Sequence, residues 1–409
     1  MYSEKSFSVV SKDVLEMTKQ KKIIKTPHYI KTPYYSWRIG ELADGCKHCV
    51  KGEKLVLFVT GLCSSRCDFC PISDKKLYKD VVYANERPVK PGDKEAIIEE
   101  AALCSAKGAG ITGGDPLVRL DRAVEYIKLL KKKFGKEFHI HLYTPLELVN
   151  EKKLSLLCGA GLDEIRFHPK LDKEADWPKI MLAKKFGWKI GVEIPMIPGK
   201  EDETRLLIDF IADKADFLNL NELELADNAV WRSKKEKDLK CKDNISYAIK
   251  GSDELAKKLL KHCAKLGIRT HYCTCKLKDK IQLANRILRR AHNVKQKFDV
   301  VTEEGMLIRG AFYLPELAPS FGYHDKLSKV TGSNKRKILN KLKAIRENIL
   351  KQEELPQHML LIDENKLRLI TSPWLARIIK TKGIVRAVVT EYPTFDALEM
   401  EVDFYKSKR

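Results

Sequence analysis

Apolar residues recur along this chain with more than one period, and the pattern changes at Lys54. Ahead of that point the sequence is polar and punctuated. A short echo, KTPHY then KTPYY at residues 25–35, predicts by its prolines and aromatics an extended arm lying on a surface. From Lys54 short apolar runs alternate with amphipathic stretches. KLVLFVT (54–60) reads as a strand, DKEAIIEEAALCSAK (93–107) as a helix, and GAGITGGDP (108–116) as a short strand ending in glycines. The series continues through a helix ending at Gly135, the strand FHIHLYT (138–144), the helix EKKLSLLCGAG and the strand DEIRFHP (163–169). It then runs through the helix DWPKIMLAKKFG, the strand KIGVEIPMI (189–197), the helix EDETRLLIDFIAD and the strand FLNLNELEL (217–225).

Strands that alternate with helices in this way predict an α/β fold with a parallel sheet of six strands and right-handed crossovers. Chemistry in such folds collects at the C-terminal ends of the strands. Beyond Leu225 the regularity fades into a long polar loop (226–252), a helix (252–267), the short strand IRTHYCTC (268–275) and a basic helix. From about residue 297 the pattern is α+β. It begins with a hairpin around Glu304-Gly305 and continues into a helix for which Ser333 is the expected N-cap. Three parts are expected: an N-terminal arm (1–53), a barrel segment (54–280) and a basic C-terminal α+β domain (281–409).

Composition narrows the function classes. No apolar run approaches the roughly 20 residues that cross a bilayer, and the N-terminus lacks the apolar core of a secretory signal. A cytoplasmic protein without a membrane partner is expected. The 409 residues carry a formal net charge of +21, which fits a polyanion such as RNA, although a Lys-rich chain with 33% charged residues also looks heat-adapted. Eleven cysteines in a reducing compartment point to metal ligation where they are closely spaced and to burial where they stand alone.

Cys63, Cys67 and Cys70 fall in the stretch FVTGLCSSRCDFCPIS directly after the first strand. Three thiolates on one loop can hold three irons of a cubane and leave the fourth iron open. A structural zinc would want a fourth ligand nearby. With this motif the chain resembles the radical SAM superfamily, and the resemblance covers approximately residues 54–225. It implies a partial (β/α)6 barrel, a 4Fe-4S cluster and S-adenosylmethionine (SAM). Reductive cleavage of SAM would give methionine and a 5′-deoxyadenosyl radical that abstracts a substrate hydrogen, with ferredoxin or flavodoxin as reductant.

The resemblance also implies site residues. Phe69, before the last cysteine, would sit by the adenine. Gly113-Gly114-Asp115-Pro116 would bind the methionine ammonium, with Asp115 where relatives usually carry Glu. Tyr143 and Thr144 end the third strand near the methionine, Arg166 and His168 end the fourth, and Ile197 and Gly199 belong to a loop packing on adenine. A salt bridge is the alternative for Arg166, and a satisfied core histidine for His168. The residues themselves single out Asn219, Asn221 and Glu222, since polar groups at the end of an apolar strand need partners, either substrate or nearby backbone.

Cys46 and Cys49 lie just upstream of the barrel, with Cys273 and Cys275 just downstream. Together the four thiols could hold an auxiliary 4Fe-4S cluster or a zinc. For the substrate, three basic features favour RNA, with tRNA modification as the leading reading. They are the arm (Lys21, Lys22, Lys25, Lys31 and Arg38 among Tyr29, Tyr34, Tyr35 and Trp37), the helix with Arg286, Arg289 and Arg290, and the helix Lys335–Lys351. The order of the cysteine motifs around NLNELE also resembles an archaeal group related to pyruvate formate-lyase-activating enzymes. That makes an activase or peptide-modifying enzyme the alternative. A non-catalytic, metal-stabilised RNA-binding protein is a third reading, against which the Gly113-Gly114-Asp115 turn argues.

Overall fold

A computed structural model describes residues 28–226, 228–232, 239–243 and 246–405. Lys21, Lys22 and Lys25 of the predicted arm lie outside them. The strands of the first sheet are β1 (Ile30–Lys31), β2 (Trp37–Ile39), β3 (Lys54–Phe58), β4 (Val82–Ala84), β5 (Arg87–Val89), β6 (Gly108–Thr112) and β7 (His139–Pro145). They continue with β8 (Glu164–His168), β9 (Lys189–Met196), β10 (Phe217–Glu222) and β11 (Thr270–Cys273). Their spatial order is β1-β2-β11-β10-β9-β8-β7-β6-β3-β4-β5. From β3 to β11 every pair in the run β3-β6-β7-β8-β9-β10-β11 is parallel. The parallel series therefore runs one strand past the predicted six. The segment before Cys273 is its seventh member, and β2 pairs antiparallel with that strand.

The longer helices around this sheet are α1 (Asp44–Val50), α2 (Lys94–Leu103), α3 (Leu120–Phe134), α4 (Glu151–Ala160), α5 (Glu201–Ile211), α6 (Ser252–Leu266) and α7 (Ala284–Val294). Local chemistry sets several ends. The Asp93 carboxylate accepts from the Ala96 N–H at 3.1 Å and caps α2, and Gly161 closes α4 in the left-handed region. The segment read as a helix after β8 is instead a 3-10 run, Glu174–Lys185, with Pro178 inside it. Proline has no N–H for an α-helical bond and crowds the preceding turn.

Apolar side chains such as Leu55, Leu57, Ile111, Leu142, Ile165 and Leu218 form one core with those of the helices, including Ile97, Ile127 and Leu207. The alternate strand positions turn the other way, as a two-residue period requires. There the sheet places His141, Tyr143, Arg166, Glu193, Asn219 and His271, a polar set. Helix α1 packs on this inner face. A Cβ added at Gly45 would stand 2.6 Å from both Arg166 Nη2 and His141 Nδ1, so only glycine lets the helix come this close.

The second sheet comprises β12 (Val300–Val301), β13 (Leu307–Tyr313), β14 (Leu360–Asp363), β15 (Arg368–Thr371), β16 (Val385–Glu391) and β17 (Glu399–Phe404). Its pairs are antiparallel, in the order β14-β15-β13-β16-β17 with β12 on β13. The β12–β13 hairpin turns at Gly305, which has φ 84°. Helix α8 (Gly332–Gln352) begins one residue ahead of Ser333, and Thr331 occupies the cap without a side-chain bond. No described helix is long and apolar enough to cross a membrane.

Candidate functional site

A cavity of about 410 Å³ opens at the C-terminal ends of the parallel strands. Cys63, Cys67 and Cys70 line it together with Phe69, Gly113, Gly114, Tyr143, Thr144, His168, Asn221 and Glu222. Residues far apart in sequence thus share one wall. The cysteine loop leaves β3, the glycines leave β6, Tyr143 and Thr144 end β7, and His168 ends β8. Gly113 and Gly114 have to be bare. Added Cβ atoms would stand 2.4 Å from the Thr60 carbonyl oxygen and 2.3 Å from that of Leu62. That packing ties the glycine turn to the strand that delivers the cysteines.

The remaining predicted residues lie outside the cavity lining. Asp115 is fully buried and its carboxylate faces inward. It accepts from Ser64 Oγ and Thr144 Oγ1 at 2.8 Å each and from the Leu117 N–H at 3.0 Å, which caps the short 3-10 turn opened by Pro116. Burial raises its pKa above the usual carboxylate range. Ile197 packs with Phe69 around Leu223 and Trp231. Gly199 sits at φ 81° in the turn before α5, with open space beside it.

Arg166 is 2% exposed and binds within the barrel. Its Nε donates to Glu164 Oε1 at 2.6 Å, and its Nη1 donates to Glu193 Oε2 at 2.9 Å and to the Tyr143 hydroxyl at 3.1 Å. Its Nη2 donates to Cys46 Sγ at 3.4 Å. Asn219 donates to Glu193 at 2.8 Å and to Cys46 Sγ at 3.4 Å, while Asn221 donates to Glu193 at 3.0 Å. Glu193 lines the cavity. Despite burial, Arg166 and the two amides bring its pKa down to about 2, so it is a fixed anion. His168 shares a 2.9 Å hydrogen bond with the Glu193 carbonyl through Nδ1 and meets Phe69 edge-on at 5.7 Å. Burial lowers the pKa of His168. Glu222 accepts from the Cys275 N–H at 2.9 Å, and Lys278, also on the cavity wall, pairs with Glu224 at 2.6 Å.

Glu193 and Lys278 were not among the predicted residues. The signal for Glu193 was available: a lone carboxylate inside the apolar run KIGVEIPMI requires a partner, by the reasoning that singled out Asn219. Lys278 stands beyond β11, and nothing in the sequence brings it back to the ends of β9 and β10.

The residues suit a thiolate-ligated cluster with an organic ligand beside it. Three soft donors face one cavity, and bare backbone and an aromatic edge supply the rest of the wall. Burial and neighbouring negative charge push Cys63 up to about 11 and Cys67 up to about 12, which a bound metal would reverse by deprotonating each thiol outright. Among the described residues no three His, Cys, Asp or Glu side chains stand at metal-binding spacing, in this loop or elsewhere.

These features define a radical SAM domain, and the model of that superfamily matches residues 57–174. The chain belongs to the radical SAM superfamily. It is 46% identical over 286 residues to a Methanocaldococcus jannaschii protein bearing the provisional name glycyl-radical enzyme activating enzyme, covering 68% of this chain and 75% of that one. Streptococcus suis SuiB bound to S-adenosylmethionine matches at 13% identity and a TM-score of 0.38, over 54% of this chain and 50% of that one. The Escherichia coli coproporphyrinogen III oxidase HemN, a radical SAM enzyme, matches at 10% identity and a TM-score of 0.36, over 88% of this chain and 94% of that one. The protein is a radical SAM enzyme, and its family implies a 4Fe-4S cluster, SAM and a reductant.

Proposed function

We propose that this enzyme is an activase that abstracts a hydrogen atom from a glycine of a partner polypeptide. The observation that carries this reading is the 46% identity to a protein named for that activity, over three quarters of its length. The cluster and SAM, when bound, supply a 5′-deoxyadenosyl radical, fed by ferredoxin or flavodoxin. The chain's own residues do the holding. Cys63, Cys67 and Cys70 are the cluster ligands, and the Gly113-Gly114 turn offers unobstructed backbone to the ammonium. Asp115 supports that turn from beneath through Ser64, Thr144 and Leu117. Phe69 and His168 form an aromatic edge for the adenine, and Glu193 and Asn221 present an acceptor and a donor that suit a peptide group.

RNA loses one of its supports. Arg286 pairs with Glu86, Arg289 donates to Glu53 at 2.9 Å, and Arg290 pairs with Glu100 at 2.8 Å. These arginines face the barrel's own carboxylates and leave little charge for a phosphate backbone.

The test uses a glycyl-radical enzyme of the host labelled with α-deuterated glycine, offered to the reconstituted protein with SAM and reductant. Deuterium in 5′-deoxyadenosine and an organic-radical EPR signal on the polypeptide are expected. Unlabelled product, together with SAM cleavage stimulated by host tRNA instead, would transfer the assignment to RNA.

A further inference from the structure

Three residues inside the barrel but outside the cavity lining have no role so far: Lys54, the first residue of β3, Gly110 on β6 and His141 on β7. Strand β6 lies between the other two strands. A Cβ at Gly110 would stand 2.9 Å from His141 Nε2 and 3.3 Å from Lys54 Cε. The bare position is the gap across which Lys54 Nζ meets His141 Nε2 at 2.9 Å. Lys54 is 8% exposed and His141 is fully buried. Burial, with Lys54 and Arg166 nearby, lowers the His141 pKa well below its ordinary value, so the ring is neutral. A buried ammonium held by a neutral ring rather than by a carboxylate is costly to keep.

What the pair achieves is a direction. An ammonium only donates, so Nε2 presents its lone pair and the ring proton sits on Nδ1, the atom left without a partner. The Tyr143 hydroxyl meets the same Nε2 at 3.2 Å and accepts from Arg166 Nη1 at 3.1 Å. With its oxygen taken by Arg166, its proton points at that lone pair. In the other tautomer an N–H would face Lys54, donor against donor. Lys54 therefore selects the tautomer, and the tautomer turns the Tyr143 O–H into the barrel while the residue lines the cavity.

We propose that Lys54 and His141 are positioning residues for SAM cleavage. They fix the Tyr143 hydroxyl inside the barrel and, through it, the Arg166–Glu193 pair, so that the cavity wall keeps one arrangement. Arg166 Nη1 is shared between Tyr143 and Glu193, and both of these are wall residues. A Tyr143 hydroxyl deprived of the His141 lone pair would turn to the Glu193 carboxylate and disturb its hold on Arg166. The inference rests on SAM being cleaved in this cavity and is independent of the substrate.

The test is a double-mutant cycle on the reconstituted full chain, with SAM cleavage measured per folded, iron-loaded molecule. Lys54→Met keeps a stem in the gap beside Gly110 and removes the cation. Tyr143→Phe keeps the ring and removes the hydroxyl. Each should lower the turnover number about tenfold with KM for SAM unchanged, because the cysteine loop and the glycine turn are untouched. The double variant should be no slower than either single one. Multiplying losses, about a hundredfold together, would mean that Lys54 acts apart from Tyr143 and would overturn the proposal. So would wild-type turnover in Lys54→Met, or a raised KM for SAM with turnover intact. Should Lys54→Met not fold, Gly110→Ala takes its place in the cycle with the same expectations, since its Cβ wedges between Lys54 and His141.

Discussion

Two arginines lie buried, one in each sheet, and their partners are almost the same. Arg368 is fully buried. It donates to Glu391 at 2.6 Å, to Asp363 at 3.0 Å and to the Tyr313 hydroxyl at 3.0 Å. Arg166 likewise meets two carboxylates and a tyrosine, Glu164, Glu193 and Tyr143. The difference lies in what stands behind the partners. Glu193 and Tyr143 form part of the cavity wall, whereas none of the three Arg368 partners does. One arrangement is closed and holds a sheet together. The other is open at one end, where Glu193 and Tyr143 reach the cavity. A buried ion pair alone therefore says little about function; what its outer members face decides it.

The largest effect is expected at the closed arrangement. Arg368→Met removes the cation that Asp363 and Glu391 share and leaves Glu391 only Arg309, at 3.1 Å, and breaking a buried pair from one side costs about 3–5 kcal/mol. Urea unfolding should show that loss, while iron content and SAM cleavage per folded molecule stay at wild-type levels. A fall in SAM cleavage by the folded variant would erase the distinction between the two arginines.

Arg166→Met should lose about 3 kcal/mol, the lower end of that range, because Glu193 can draw water from the cavity while Glu164 cannot. Unlike the first variant, it should also slow SAM cleavage by on the order of tenfold to a hundredfold, the scale of a small misplacement of positioning groups. Rescue by Arg166→Lys should be poor, since one ammonium cannot serve Glu164, Glu193, Tyr143 and Cys46 together.

The sequence made the open end legible and hid the closed one. Cys63, Cys67, Cys70 and Gly113-Gly114 could be found because their spacing is local and their place after a strand follows from the apolar pattern. Asn219 and Asn221 stood out as polar residues in an apolar strand. The network that organises them was not legible, since it depends on which of two strand faces turns inward and on the packing of α1, both tertiary facts. Arg286, Arg289 and Arg290 show the same limit from the other side. As sequence they form a basic helix, and only the fold reveals Glu86, Glu53 and Glu100 opposite them.

Acid should separate the two regions again. Glu193 is held down to about 2, below its ordinary value near 4.5. A carboxylate so depressed adds stability above about pH 4.5 and loses it as the pH falls toward 2. The effect is about 2 kcal/mol after allowing for partial hydration from the cavity. Comparing wild type with Glu193→Gln by urea unfolding between pH 6 and 3 should show the two curves converging as the medium acidifies. Parallel curves would mean that Glu193 is not the anion Arg166 holds.

The smallest and most selective test uses two glycines. Gly310 on β13 meets the Ser372 carbonyl oxygen at 2.4 Å and Ala376 Cβ at 2.6 Å from an added Cβ, and Gly45 meets Arg166 and His141 as closely. Gly→Ala at either site overpacks a filled space, at about 1–2 kcal/mol. At Gly310 the obstacle is largely backbone, and the loss should appear only in the unfolding midpoint. At Gly45 the obstacle is the arginine itself, so α1 must retreat or Arg166 must swing away from Glu193. Gly45→Ala should therefore lower SAM cleavage more than its stability loss explains, and Gly310→Ala should not. Equal and purely thermodynamic effects from both would mean that the barrel's arginine is as closed in function as the one in the second sheet.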